Sequence, residues 1–430
     1  MSGKKWGIVS AVAAGCVLAA VMLLCMTKKQ TMVEAEPAQT VLPVLIAGGD
    51  ASWENCMRGV AASYMEEHPE VKVQVTATMN RAGSDYIQGL LVEDALGNFN
   101  GIVEMKNTES FAQEEKIIPL PQDITDLVQT PDTYEGKIYA VPRFYTGRGI
   151  IYNKKIFEKL NLEVPKTYQE FLAVCENLKL NGIKPLTVGA ADSWHLKNWI
   201  DGLFTNDVKQ KIPNWIELRN EGKVHWTDEE TMKMLTELQQ LFIEGDVEEN
   251  YLTTTDGGTI EVLTEGKAAM LYSGTWMFSQ ITKADSQFEI GWFFLPRDEG
   301  EPIVEYDGTW GLSITSSCAK QPKVYQTALD FLKFYYSKNV YKKVLQSMNS
   351  ISSLKEEIDY SAIDVQKDIM QQVKEKGVQQ KGTLGLSETP EGFMMDLYAN
   401  ILKLAEGQQN VRETAEILDE SWDENLEENR

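Results

Sequence analysis

Two Gly-Thr-Trp triplets, Gly274-Thr275-Trp276 and Gly308-Thr309-Trp310, each set a tryptophan behind a turn of small residues. An aromatic ring held there offers a flat apolar face to the C–H face of a pyranose, while neighbouring carboxylates and amides can bond its rim of hydroxyls. Such a combination suits the capture of carbohydrate rather than the breaking of bonds.

Catalytic alternatives have less to build on. Glu109 and Asp307 are the carboxylates that a glycosidase reading would use as an acid–base pair. The chain has no GxSxG elbow, GxxxxGK[ST] loop, HExxH or CxxC. It has three histidines, His68, His195 and His225. No enzyme activity, metal or cofactor is expected, although a hard-cation site made of carboxylates stays open.

The elements that would carry these residues are legible as strand ends. Residues 41–49 form an apolar run closed by glycines, with Asp50 and Trp53 at its carboxyl end. A helix carrying Cys56, Val60 and Tyr64 at four-residue spacing follows, Pro69 ends it, and Val71, Val73 and Val75 alternate as a half-buried strand. Residues 41–78 are thus predicted as a strand–helix–strand unit of a parallel sheet, whose ligands collect at the carboxyl ends of strands. Asn80, Arg81 and Glu109 fall just past first-lobe strands and form, with Asp50 and Trp53, the natural polar rim.

Further along, residues 136–142 lead through a crossover at 143–149, which contains Arg143 and Tyr145, into a strand at 150–153. Of that pair, Tyr145 is the favoured ligand contact and Arg143 a sugar contact or a brace. Thr167 followed by Glu170 is a capping-box pattern, and Gly182 stops the helix it opens. The strand at 183–188 delivers Asp192, Trp194 and His195; for His195 a satisfied polar residue is the competing reading, and Trp199 is assigned to helix packing. Helices are expected at 228–244 and 324–336, and an acidic tail, 419–430, is expected to be solvated.

At 430 residues the chain exceeds what one core fills, so two lobes are expected. A net charge of −23 and an isoelectric point near 4.7 argue against nucleic acid as a partner. Lys4 and Lys5 precede an apolar run at 6–26 long enough to cross a bilayer. Three readings compete there: an uncleaved anchor, a signal peptide cut near Val33-Glu34-Ala35, or lipidation at Cys16 after Ala13-Ala14-Gly15. Membrane attachment by either route is favoured over free secretion. Cys56, Cys175 and Cys318 read as buried thiols rather than a disulfide framework.

With these residues in view, the sequence resembles the family 1 extracellular solute-binding proteins of ABC transporters, the maltose-binding-protein-like sugar-capturing branch. The resemblance covers about 41–420 and is carried by 136–157, GKIYAVPRFYTGRGIIYNKKIF; by 164–189; by 262–276, VLTEGKAAMLYSGTW; and by 306–314, YDGTWGLSI. It implies an α/β, two-lobed periplasmic-binding-protein-like fold of type II, with a hinge and an interlobe ligand cleft. One lobe would hold 41–142 plus 293–337 and the other 143–292 plus 338–430, after an N-terminal address at 1–40. It further implies a monomer that delivers sugar to the permease subunits of an importer at the outer face of the cytoplasmic membrane. Presentation of bound sugar to a receptor kinase is the alternative.

By the same resemblance Trp276 stacks on sugar, Trp194 belongs to an acidic–aromatic pair, and Phe393 precedes Met394 and Met395 on a last cleft helix that commonly carries aromatics. Trp310 and Asp307 sit where glycines permit close approach, a position that packing under the hinge would explain equally well. The first strand lacks the tryptophan-containing turn common in relatives, and Trp53 stands as its possible replacement.

Overall fold

The computed structural model describes residues 39–48, 50–78, 86–106, 108–129, 131, 133–299, 301–308, 310–379, 384, 389, 390 and 392–428. The apolar run at 6–26 with Cys16, and the candidates Asn80 and Arg81, lie outside these. Among the described residues no helix is long and apolar enough to cross a membrane.

The first lobe grows from the predicted strand–helix–strand unit. β1 (Thr40–Ile46) pairs in parallel with β2 (Val71–Ala77) and with β3 (Ile102–Met105). The connecting helix, Ala51–Glu67, starts where the Asp50 carboxylate accepts the amides of Ser52 and Trp53, at 2.9 and 3.2 Å. It buries Trp53, Met57, Val60, Ala61 and Tyr64, a helical stripe lying on the sheet. Two antiparallel strands, β4 (Ala140–Pro142) and β10 (Gly311–Ile314), complete the order β2-β1-β3-β10-β4. Leu42, Val44 and Ile46 of β1 face one core and Leu45 the other, so both faces are covered.

The second sheet is centred on β5 (Thr146–Asn153). β7 (Ala268–Gly274) runs antiparallel to it on one side, and β6 (Lys184–Thr187) extends β7 in parallel. β8 (Ile290–Phe293) and β9 (Glu305–Asp307) share the other edge of β5, and β11 (Val378–Gln379) pairs with β9. Ile150 and Tyr152 point into one core and Ile151 into the opposite one, as strand alternation requires. The capping box forms as predicted at one end: the Thr167 hydroxyl accepts the Glu170 amide at 3.1 Å. The Glu170 carboxylate reaches the amide of Lys166, one residue beyond the expected one, at 2.7 Å.

Two expected boundaries shift. Phe293 and β9 belong to the second lobe, so the chain returns to the first lobe between β9 and β10, through Gly308 and Trp310, and not at 293. Helix Lys338–Met348 packs Tyr341, Val344, Leu345 and Met348 into the first core with Leu354 and Tyr360, which moves the last crossing beyond 337.

The tail is a further correction. Helix Val411–Glu428 is packed rather than solvated, with Trp422 fully buried against Trp215, Trp226 and Phe393. The Asp419 carboxylate accepts the amides of Trp226 and Thr227 at 2.7 and 3.2 Å, and Arg219 binds both Asp419 and Asp423.

Candidate functional site

Three stretches of chain run side by side between the lobes. The Arg143 amide donates to the Trp310 carbonyl at 3.0 Å, and Tyr145 exchanges two backbone hydrogen bonds with Ile351 at 2.8 and 2.9 Å. Tyr145 is 3% exposed, and its hydroxyl donates to the Gln129 carbonyl at 2.8 Å. A Cβ at position 308 would stand 2.2 Å from the Tyr145 ring, so glycine there lets the hinge strands close on it. Tyr145 is therefore packed inside the hinge, contrary to its expected place as a cleft contact.

Arg143 sits over a buried carboxylate. Glu104, fully buried on β3, accepts the Ala47 amide at 2.8 Å and the Trp53 indole N–H at 2.9 Å through Oε2, while Oε1 pairs with Arg143. Burial raises the Glu104 carboxyl above its ordinary value against the opposing pull of Arg143. The guanidinium lies 4.6 Å from the Trp53 ring, 4.7 Å from Phe144 and 5.6 Å from Trp310. Trp53, 1% exposed, is thus a buried strut and not a replacement sugar face. Trp310, only half-buried, rests edge-on against Tyr86 at 4.8 Å and has the Lys106 ammonium 5.7 Å from its ring. Glu109 opens the short helix Glu109–Gln113 in the same lobe.

On the second lobe, the β7 end is fixed by reciprocal bonds. The Thr275 amide donates to the Gly147 carbonyl at 3.0 Å, and the Gly147 amide donates to the Thr275 hydroxyl at 3.3 Å. Trp276 folds back over Gly274, where a Cβ would meet the indole at 1.8 Å, and its ring stays half-buried. The triplet's residue types are explained locally: glycine makes room, threonine locks the turn, and tryptophan fills the space.

Asp192, Trp194 and His195 have separated roles. Trp194 is 43% exposed near the start of helix Ser193–Leu203. Asp192 accepts the Asp256 amide at 2.8 Å and so ties that helix to helix Asp256–Thr264. His195 is fully buried; its Nδ1 accepts the Gly189 amide at 2.7 Å, which leaves the proton on Nε2, 3.5 Å from Asp256 Oδ1. Burial lowers the His195 pKa to about 4, so it is a neutral internal support. Burial first, and then the charges of Asp192 and of Asp50 on the first lobe, raise the Asp256 carboxyl to about 7.

Asp307 ends β9 beside Thr146 and lends its charge to Arg148. Arg148 donates to Asp201 at 3.0 Å, and Lys197 binds the same carboxylate oxygen. Phe393 is fully buried between Trp226 and Trp422, at 5.7 and 4.6 Å, which removes it from the cleft. Among the described residues no group of three or more histidine, cysteine or carboxylate side chains is arranged to hold a metal.

Sequence reasoning missed Glu104, Lys106, Arg148, Lys197 and Asp201. The signals existed: a lone carboxylate inside the four-residue buried strand Ile102–Met105, and a Lys–Asp pair four residues apart on helix Ser193–Leu203, whose other inward positions are largely apolar.

Comparison with known proteins follows the same line. Residues 50–342 match the family described as bacterial extracellular solute-binding protein. The chain is 24% identical over 208 residues to the multiple sugar-binding protein of Streptococcus mutans, covering 46% of this chain and 50%, about half, of that protein. It is 20% identical over 322 residues to the melibiose/raffinose/stachyose-binding protein of Bacillus subtilis, with 70% of this chain and 71% of that one covered. The solved structure of a chitin oligosaccharide binding protein superposes with a TM-score of 0.77 at 21% identity, over 90% of this chain and 99% of that one. The two-lobed fold is shared.

Proposed function

Because the chain belongs to the bacterial extracellular solute-binding protein family, we propose that it captures a sugar or oligosaccharide between its lobes and hands it to the permease of an ABC importer. The observation that supports this reading is a pair of half-buried tryptophans, Trp276 just past β7 on the second lobe and Trp310 on the hinge, the latter with the Arg143 guanidinium 5.6 Å from its ring.

In this reading Trp276, Trp310 and the exposed Trp194 supply flat faces, while Asp50, Asp192, Asp307, Glu109 and Arg143 supply hydrogen-bonding rim. The carboxylates accept sugar hydroxyls and transfer no proton. Trp53, Tyr145, His195 and Phe393 act beneath this surface by holding it in place. Closure of the lobes expels water from both the apolar and the polar contacts, so the ligand stabilises the closed arrangement by its differential affinity for it. The N-terminal segment, as an apolar anchor at 6–26 or through a lipid on Cys16, holds the protein, a monomer, at the outer face of the cytoplasmic membrane. A thermal-shift screen across neutral and charged mono- and oligosaccharides tests the reading, since a ligand bound only by the folded state raises its melting temperature. A panel with no shift at millimolar sugar would refute it.

A further inference from the structure

Away from the chain segments that cross the hinge, the lobes meet again. Helix Met277–Ala284 of the second lobe starts directly behind Trp276 and lies against helix Lys338–Met348 of the first. From its last turn the Lys283 ammonium donates to the Ser52 hydroxyl of the first lobe at 2.9 Å.

The seat that receives Lys283 is built from two first-lobe helices. Ser52 and Cys56, four residues apart, share one face of helix Ala51–Glu67, and the Ser347 hydroxyl of helix Lys338–Met348 donates to the Cys56 sulfur at 3.3 Å. Ser52 is 8% exposed and stands in the first helical turn, at the cleft end of β1. Asp50 caps that same turn, so a carboxylate offsets the positive pole of the helix where the ammonium arrives.

On the second lobe the lysine is carried by a firmly held lever. Met277, Phe278 and Ile281 are buried in the core that also holds the hinge residues Tyr145 and Ile351. Trp276, already helical at φ −60° and ψ −24°, is followed by Gln280 and Lys283 at i+4 and i+7, so the three share another face of this helix. The ring offered to the cleft and the ammonium that reaches the opposite lobe thus move as one element. A single, partly exposed hydrogen bond from a charged donor shifts an equilibrium by only a few-fold, which is enough to tune the lobes and too little to lock them.

We propose that Lys283 and Ser52 form an interlobe latch, which holds the lobes in the arrangement described above, breaks when they swing apart, and sets how readily the cleft opens without touching what lies in it. Any solute that favours the latched arrangement gains affinity from it. The inference goes beyond the sugar reading and does not depend on which solute is bound.

The test is small-angle neutron scattering from the ligand-free full chain, in detergent at its contrast-match point, which reads the separation of the lobes. Lys283→Met and Ser52→Ala should each move the distance distribution to longer separations, raising the ratio of separated to latched molecules about threefold or more. The double variant should move it no further than either single one, and Lys283→Arg should keep the wild-type distribution. Circular dichroism and urea unfolding confirm the fold of each. Wild-type distributions in both single variants overturn the latch. So does a double variant whose shift is the sum of the two, or a Lys283→Arg variant that opens as far as Lys283→Met. Because no sugar is present, each of these outcomes leaves the reading of the cleft as a carbohydrate site untouched.

Discussion

Replacing Arg143 by methionine tests the floor of the cleft independently of any ligand. Glu104 is fully buried, and Arg143, 14% exposed, supplies its counter-charge. Removing one partner of a buried pair costs about 3–5 kcal/mol, because the other charge is left uncompensated. Two N–H donors, from Ala47 and Trp53, remain on Oε2. Methionine also keeps part of the stem packing against Trp53 and Phe144, so a loss near the lower limit, about 3 kcal/mol, is expected. Adding Glu104→Gln to Arg143→Met removes the stranded charge and should recover at least about 1 kcal/mol of it.

The pH dependence gives a second handle on the same pair. The Glu104 carboxyl already lies above its ordinary value, and without Arg143 it rises further. A carboxyl whose folded pKa exceeds its unfolded one binds more protons when folded, so stability falls as pH rises through that interval. The deficit of Arg143→Met should therefore be full at neutral pH and shrink on acidification toward the unfolded value. Urea unfolding followed by circular dichroism and tryptophan fluorescence measures it. A loss below about 0.5 kcal/mol at neutral pH, or one that grows on acidification, would refute the coupling of these two charges.

Other consequences follow from the same geometry. His195, depressed to about 4 by burial, contributes stability that is present above its unfolded pKa near 6.5 and is lost as pH falls toward 4. His195→Asn should flatten that part of the pH–stability profile, as urea midpoints at successive pH values would reveal. Trp422→Ala should cost about 3–5 kcal/mol, because it empties the centre of the Trp215–Trp226–Phe393 cluster; calorimetric melting would detect it. Gly308→Ala should destabilise the hinge through the 2.2 Å approach of its Cβ to Tyr145, lowering the melting temperature even though it adds only one methyl group.

What the sequence made legible was local. The strand–helix–strand unit at the start, the cap at Thr167 and the strand end carrying Trp276 depend on residues within a few positions of one another. What it hid was long-range. Phe393 and Trp422 look like free aromatics until Trp226, far upstream in the chain, packs against both. Tyr145 is enclosed by the hinge and Arg143 is paired with Glu104, neighbours that only the folded chain brings together. The acidic composition of the tail masks its packing, although Leu418 and Trp422, four residues apart, mark an inward helical face. The lobe boundary at 293 moved because β9, three residues long, carries no strand signature of its own.

Whether Trp276 forms a sugar-binding wall of the cleft is decided by calorimetric titration of the wild type and of Trp276→Ala with the sugar that most raises the melting temperature. An affinity at least tenfold weaker, about 1.4 kcal/mol, is expected in a variant whose circular dichroism is unchanged. Equal affinity in the two proteins would contradict it.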